Sequence, residues 1–538
     1  MATEEQVGMM LPYMVQDWAS REPKRQSLTF VDIDKQGNFH DETRTYGELW
    51  VNGQRFANAL KSAGMGENER FAIMMMNHPE FVDAMVGSGI ANTTFVPIDP
   101  RTQGKKLKFM LEFVSCKGVI VGDYNLPALR NIIDEVDGLE WVWVISSGGE
   151  VDLSGLPNAR LISDILAEPA PEPELPIAAK ESTDEMQMLY TSGTTGDPKA
   201  IVGPYARFGA IGSLGPAIGL RDDDVPYSGL SLTHANAQLI TLGNVIKMGL
   251  HGVFSRKFTK SRLWDITREY GCTQFNLLGG MTTAIYSDPE KPDDADNPVR
   301  YVLAAGMPPA IWKNFEKRFG LEVFEFYGTA EGGVSMNPPG VGPIGSMGKP
   351  PATMVAKIFD EDGKECPPHQ IGELAFQNAD GSCPHVEYYK LPEKSAAKMK
   401  DGWFWTGDMC HTDEDGWLYF DWRDGDAIRH NGDFVNPGFV QKELAEHDNV
   451  DDVFVYGVKA ASGVPGEKDV VAAVVPAGEA DVQAMFRHCR ERLEGNFVPS
   501  YIQILDEIPK TASEKPQERY CVEALENSPD QVHTEIRG

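Results

Sequence analysis

Cysteine is sparse in this chain and nowhere paired. Its seven cysteines are scattered over 538 residues, and no two of them form a C-x-x-C. That excludes a zinc knuckle and a disulfide framework, and it suits a reducing compartment. No apolar run approaches the length of a membrane span. The opening residues, MATEEQVGMMLPYM, hold neither the basic segment nor the apolar core of a secretory leader. Positive charge is the minority: 49 Lys and Arg stand against 80 Asp and Glu, a formal net charge of −31. No Lys/Arg run interrupts this acidity, so neither nucleic acid nor an anionic membrane is expected as a partner. A soluble, cytoplasmic protein is the expectation.

The chain is too long for one ordinary core, and more than one domain is expected. From Arg70 the apolar run 71–76 predicts a buried strand. Pro79 opens a helical stretch, and 94–98 predicts a second strand, giving a strand–helix–strand unit. GVIVGD and WVWVISS continue the series, which points to an α/β protein with a largely parallel sheet. The Pro/Glu/Ala-rich stretch 166–185 is a surface linker by composition, and 288–298 is a polar loop. TQFNLLGG, YVLAAG and EVFEFYG each read as a strand ending in Gly, and ligands of open α/β sheets collect at such strand ends. After about Trp422 the texture changes to a charged turn followed by short strands and helices.

The strand MQMLY runs into YTSGTTGDPKA (190–200). A Walker A loop reads G-x-x-x-x-G-K-[ST], but no Ser or Thr follows Lys199 here. Gly193 and Gly196, with the hydroxyls of Thr191, Ser192, Thr194 and Thr195, offer N–H and O–H donors to phosphate oxygens, and Lys199 offers charge. By composition, a phosphate loop and a plain polar surface loop stand equally open.

The stretch is similar to the signature of the adenylate-forming superfamily: acyl-CoA synthetases, peptide-synthetase adenylation domains and luciferases. Further motifs follow in the family's order. AAGMPP (304–309), with Gly306, resembles the turn that lines adenine and the acyl pocket. EFYGTAEGG (325–333) resembles Tyr-Gly-x-Thr-Glu. GWFWTGD (402–408) resembles Trp-x-x-Thr-Gly-Asp. DWRDGDAIRHNGDFVNP (421–437) resembles the hinge segment, and IPKTASEKPQER (508–519) the segment of the mobile catalytic lysine. The resemblance spans roughly residues 46–519. This sequence departs from the pattern at Ala200, Ala330, Gly425 and Glu514.

The resemblance implies an α/β fold: a large N-terminal domain of αβ-layered subdomains (1–422) that binds ATP and the acid, and a small mobile α+β C-terminal domain (423–538) that carries the lysine. It implies an AMP-forming acid–CoA ligase using ATP, Mg²⁺ and coenzyme A. The carboxylate attacks the α-phosphorus, pyrophosphate leaves, and a thiol then takes the acyl group. Lys515 falls at the catalytic lysine and Glu331 at the Mg²⁺ ligand. The 191–199 loop falls on the pyrophosphate side. Tyr327 falls against adenine, Gly328 and Thr329 in the same motif, and Asp408 and Arg423 on the ribose. Gly425 is the pivot, and Gly432 with Asp433 lies along the pantetheine path. His234 falls at the gate between acid and thiol.

For the acid, LRDDDVPYSGLSLTHANAQ (220–238) has no acidic residue between Ser228 and Gln238. In amino-acid-activating relatives an Asp in this region pairs the substrate ammonium, so an α-amino acid is not expected. The chain looks closest to carnitine/crotonobetaine-CoA ligases. Asn236, Gln238, Asn276, Gly279, Gly280 and Met307 are the candidate pocket residues. Several are polar or small, which favours a short polar or betaine-like carboxylic acid. A medium-chain or aryl acid, transfer to a carrier protein, and a nucleotide-binding pseudoenzyme stand as alternatives. A homodimer is compatible with the reading.

Overall fold

The computed structural model describes residues 3–191, 198–286, 288–309, 311–360, 362–423, 428–431, 433–435, 437–464, 466–509, 516 and 518–535. Three sheets of seven, eight and five strands precede residue 424. The seven-stranded sheet is centred on the predicted unit: Arg70–Met74, the helix Pro79–Ala91 and Thr94–Pro97, with the two strands parallel. Every residue of that helix is buried, which explains why its sequence shows no polar stripe. Proline in its first turn and Asn92 in the left-handed conformation mark its ends. GVIVGD and WVWVISS lie in the parallel strands Cys116–Gly122 and Trp141–Ile145 of the same sheet.

The sheet turns antiparallel at its edge, where Glu185–Thr191 pairs with Lys199–Pro204 and Thr191 sits opposite Lys199. The glycine-rich loop therefore joins two antiparallel strands. In a Walker A loop the lysine lies at a helix N-terminus instead. Residues 192–197 themselves lie outside the described residues.

The eight-stranded sheet places Gln274–Leu278, Tyr301–Ala305 and Glu322–Gly328 side by side and parallel. Their carboxyl ends share one edge, as the three glycine-ended runs predict. A common core of buried side chains, including Phe30, Phe71, Trp141, Tyr205 and Phe324, packs the two large sheets and their helices together.

The five-stranded sheet, from Met354–Phe359 to Leu418–Arg423, is antiparallel throughout and differs from the largely parallel pattern expected. Its longest strand, Trp403–Thr412, alternates buried and half-buried positions, the mark of a sheet with one packed face. Short runs with that alternation carry no continuous apolar signal, so the sequence reading passes over them.

A smaller C-terminal domain has its own core, with Val440, Leu444, Val455, Val470 and Phe486 among its members. It consists of the hairpin Ile428–His430/Asp433–Val435 and a four-stranded sheet with flanking helices. It meets the larger domain at the segment 101–106. Lys106 Nζ lies 2.6 Å from Glu494 and 5.6 Å from the centre of the Phe497 ring. Lys105 pairs with Glu446, and Arg101 reaches Asp433 of the hairpin at 3.9 Å. Among the described residues no helix is long and apolar enough to cross a membrane.

Candidate active site

Three groups of side chains gather at the strand ends. The first holds Tyr327 and Asp408. Tyr327 ends the strand Glu322–Gly328, and its hydroxyl donates to Asp408 Oδ2 at 2.5 Å. Asp408 is 4% exposed, and its backbone N–H is held by Thr406 Oγ1 at 3.0 Å. Phe376 lies nearly parallel to the Tyr327 ring, 14° between planes and 6.2 Å between centres. Burial, then the adjacent Asp408 charge, drive the Tyr327 phenol well above its ordinary pKa, so it stays a donor. Arg423 is register-paired with Asp408 across the strands that carry them, which puts its backbone at the same corner.

One strand over, the AAGMPP turn is tied to a carboxylate that motif reading missed. Glu325, 5% exposed, accepts from the N–H of Gly306 at 2.6 Å and of Met307 at 3.0 Å. Gly306 has φ +94°, where glycine is favoured. Burial pushes the Glu325 carboxyl up to about 8, against the pull of those two donors. Gly328 closes the same strand. The Thr329 hydroxyl donates to the Gly332 carbonyl at 2.6 Å and so closes its own turn. That gives a local account of the Thr–Ala order at 329–330: the hydroxyl serves the loop.

The second group links Glu331, Tyr388 and Lys199. Glu331 Oε1 accepts the Tyr388 hydroxyl at 2.8 Å, and Lys199 Nζ lies 5.2 Å from the centre of the Tyr388 ring. Tyr388 is set there by backbone pairing, because Val202 donates to the Glu387 carbonyl and Tyr389 to that of Ala200. Ala200 is completely buried in this pairing and packs its methyl into the core of the sheet, which is why alanine is accommodated where the family pattern has glycine. Arg207, in the helix Tyr205–Gly212 that follows, is lowered by burial and stabilised in its charged form by Glu331 and Tyr388.

The third group is built on Asp99, just beyond the strand Thr94–Pro97. Arg101 grips it with Nε at 3.0 Å and Nη2 at 2.9 Å, and His234 Nε2 lies 3.3 Å from Oδ2. Burial alone would raise the Asp99 pKa, but the hydrogen bonds from His234 and Arg101 outweigh it and hold the carboxyl well below the usual range. The C-terminal hairpin touches the same Arg101 through Asp433. His234 leads into a π-helical stretch, Asn236–Leu242. There Asn236 Oδ1 accepts from Asn276 Nδ2 at 2.6 Å, and Asn276 also reaches Thr241 and accepts from Gln274. Gln238 is completely buried, Met307 nearly so, and Gly279 and Gly280 open the helix Gly279–Tyr286.

Ser192, Gly193, Thr194, Thr195, Gly196, Gly425, Gly432 and Lys515 lie outside the described residues, as does the Arg423 side chain. Tyr388, Glu325 and Asp99 escaped the sequence reading. No motif marks Tyr388 or Asp99, whereas Glu325 stood inside the quoted EFYGTAEGG; a buried acid two residues before Tyr327 was its available signal.

The strand ends thus bring together an aromatic–carboxylate corner, a glycine turn held by a buried acid, and Lys199 beside Tyr388 and Glu331. The model of the AMP-binding enzyme family matches residues 15–381, and that of its C-terminal domain matches residues 440–515. The chain belongs to the AMP-binding enzyme family, and its class is that of the AMP-forming acid–thiol ligases. It is 30% identical to a medium/long-chain fatty-acid–CoA ligase of Mycobacterium marinum, over 89% of this chain and 91% of that protein. It is 28% identical to the sulfoacetate–CoA ligase of Cupriavidus necator, over 88% and 91%. A double mutant of o-succinylbenzoate CoA synthetase from Bacillus subtilis, solved with a product analogue, aligns with a TM-score of 0.77 at 22% identity, over 97% of this chain and 99% of that one. That last likeness speaks for the fold.

Proposed function

We propose that the protein is an ATP-dependent ligase that joins a short polar or betaine-like carboxylic acid to coenzyme A. The observation that carries the nucleotide half is the Tyr327–Asp408 hydrogen bond, which sets an aromatic face and a buried carboxylate at one corner, ready for a base and its ribose. In this reading Gly306 and Gly328 lie along the adenine, Arg423 joins Asp408 on the ribose, and the 191–199 loop with Lys199 takes the pyrophosphate side. Acid oxygen bonds to the α-phosphorus as the bond to the leaving pyrophosphate breaks. Lys515 stabilises the charge that grows there, the kind of fixed positive charge that dominates such displacements. Domain 1–422 binds ATP and acid, and domain 423–538 brings Lys515 in.

Mg²⁺ fits the Glu331 side of the site. Among the described residues no three His, Cys, Asp or Glu side chains are grouped to hold a metal. A lone oxygen donor such as Glu331 suits an ion that fills its shell with phosphate oxygens and water. When bound, Mg²⁺ would supply charge to the phosphates.

For the thiol half, Arg101 connects the C-terminal hairpin to Asp99 and His234, which supports Gly432 and Asp433 flanking the thiol path with His234 as gate. The hydrogen-bonded amides Asn236, Asn276 and Gln274 favour a polar acid. A longer acid is the second reading, favoured by the name of the mycobacterial relative. In this reading the protein works in the cytoplasm.

Pyrophosphate release from ATP across a panel of acids, with and without coenzyme A, tests this. A polar acid should release pyrophosphate, and a thioester should form only with coenzyme A. Lys515→Ala should cut adenylation about 100-fold or more. No pyrophosphate with any acid would sink the reading, and adenylate without thioester would point to a carrier-protein acceptor.

A further inference from the structure

In a chain with net charge −31, four lysines line a single cleft. Lys199, Lys394, Lys398 and Lys400 face a space of about 430 Å³ that also meets Tyr388, Trp405 and two carboxylates, Asp360 and Glu373. Both carboxylates are engaged with backbone donors: Glu373 with the N–H of Gly407 at 2.8 Å, Asp360 with those of Asp362 and Lys364. The inner end of the cleft is shared with the active site, because Lys199 stacks over Tyr388 and Tyr388 holds Glu331.

The lysines are positioned by the fold. Lys398 Nζ donates to the Thr406 carbonyl at 2.7 Å, beneath Gly407. Gly407 has φ +83°, and a Cβ there would stand 3.3 Å from that amine, so glycine leaves it room. Lys394 and Lys398 lie one turn apart on the helix Pro392–Lys398, which sets two positive charges on the same side of the cleft. Lys400 Nζ lies 4.0 Å from Asp401 and 5.7 Å from the centre of the Trp405 ring.

We propose that this lysine-lined cleft binds inorganic pyrophosphate on its way out of the active site. The proposal rests on the reading of the chain as an adenylate-forming ligase. Pyrophosphate departs from the Lys199 side, and the cleft opens at Lys199. Its charge, concentrated in an otherwise acidic molecule, draws a polyanion outward. Coenzyme A also carries a diphosphate, but the C-terminal hairpin meets the larger domain at Arg101, and neither residue of that contact lines this cleft.

The test uses the whole chain and magnesium pyrophosphate as probe, measured by calorimetry without acid or coenzyme A and, separately, as product inhibition against ATP. Lys394→Glu with Lys400→Glu should weaken pyrophosphate tenfold or more while the KM for ATP moves less than twofold. Lys394→Arg with Lys400→Arg should restore binding, which separates charge from folding. Unchanged pyrophosphate affinity in the Glu variant overturns the proposal. So does displacement of bound pyrophosphate by 3′,5′-ADP, which would mark the cleft as a coenzyme A site. If the wild type binds pyrophosphate and the Glu variant does not, the cleft stands even when no acid releases pyrophosphate; only the ligase reading then falls.

Discussion

The nucleotide corner and the domain junction use the same kinds of residue in opposite ways. At the corner, Asp408 is 4% exposed and Glu325 5%: Asp408 accepts from Tyr327 of the eight-stranded sheet, and Glu325 from the backbone of the turn after the strand beside it. At the junction, the side chains of Arg101 and Lys105 are 57% and 68% exposed and meet carboxylates that are themselves in water, whereas Lys106 and Glu494 are sheltered at 21% and 17%. Removing one partner of a buried hydrogen-bonded group costs about 1–3 kcal/mol. An exposed ion pair contributes about 0–1 kcal/mol and fades as salt rises. The first region is held by burial, and the second largely by pairs that cost little to release. Under the proposed function, that contrast fits a small domain that changes partners between two half-reactions.

Three experiments would break or sharpen this contrast. The largest effect is expected at Glu325. Its carboxyl is raised from 4.5 to about 8 by burial. A raised acid favours the folded state at low pH and loses that contribution as pH climbs from the unfolded value to the folded one. Stability should therefore fall between about pH 4.5 and 8, by an amount on the order of 5 kcal/mol. Glu325→Gln should flatten that slope in urea midpoints taken at pH 5, 6, 7 and 8, and parallel curves would remove Glu325 as the cause.

Next is Asp408→Ala, which leaves the buried Tyr327 hydroxyl without its acceptor. A loss of about 2–3 kcal/mol in nucleotide binding is expected, seen as a rise of about 30- to 150-fold in the KM for ATP. A rise under threefold would mean that the corner does not hold the nucleotide. Smallest is the junction. Lys105→Glu should slow thioester formation severalfold and leave pyrophosphate release nearly unchanged, and added NaCl should reproduce the effect in the wild type. Equal loss in both half-reactions would make the junction a plain structural contact.

Much of the candidate site was legible because its parts are short and local. Tyr327 and Glu331 stand in one nine-residue stretch and Asp408 in a seven-residue one, and Tyr327 lies near the end of a strand whose apolar run is itself readable. The unit at 70–97 was legible for the same reason. Tyr388 was not, because it reaches Glu331 through pairing between residues near 201 and near 388. Asp99 has no motif of its own and gains its role from Arg101 and His234. The five-stranded sheet was missed because its alternation is short and its pairing antiparallel.

Local order along the chain was thus enough to name the class of fold and chemistry: the apolar periods dictate strands and helices, and the family's motifs recur in order. What it left open was contact across distance. The strand edge at Lys199–Pro204 brings Tyr388 to Glu331, the parallel pairing of two strands brings Glu325 under the Gly306 turn, and the meeting of two domains puts Asp433 against Arg101. These follow from which surfaces pack together, and packing depends on the whole core at once, whereas a motif depends only on its neighbours.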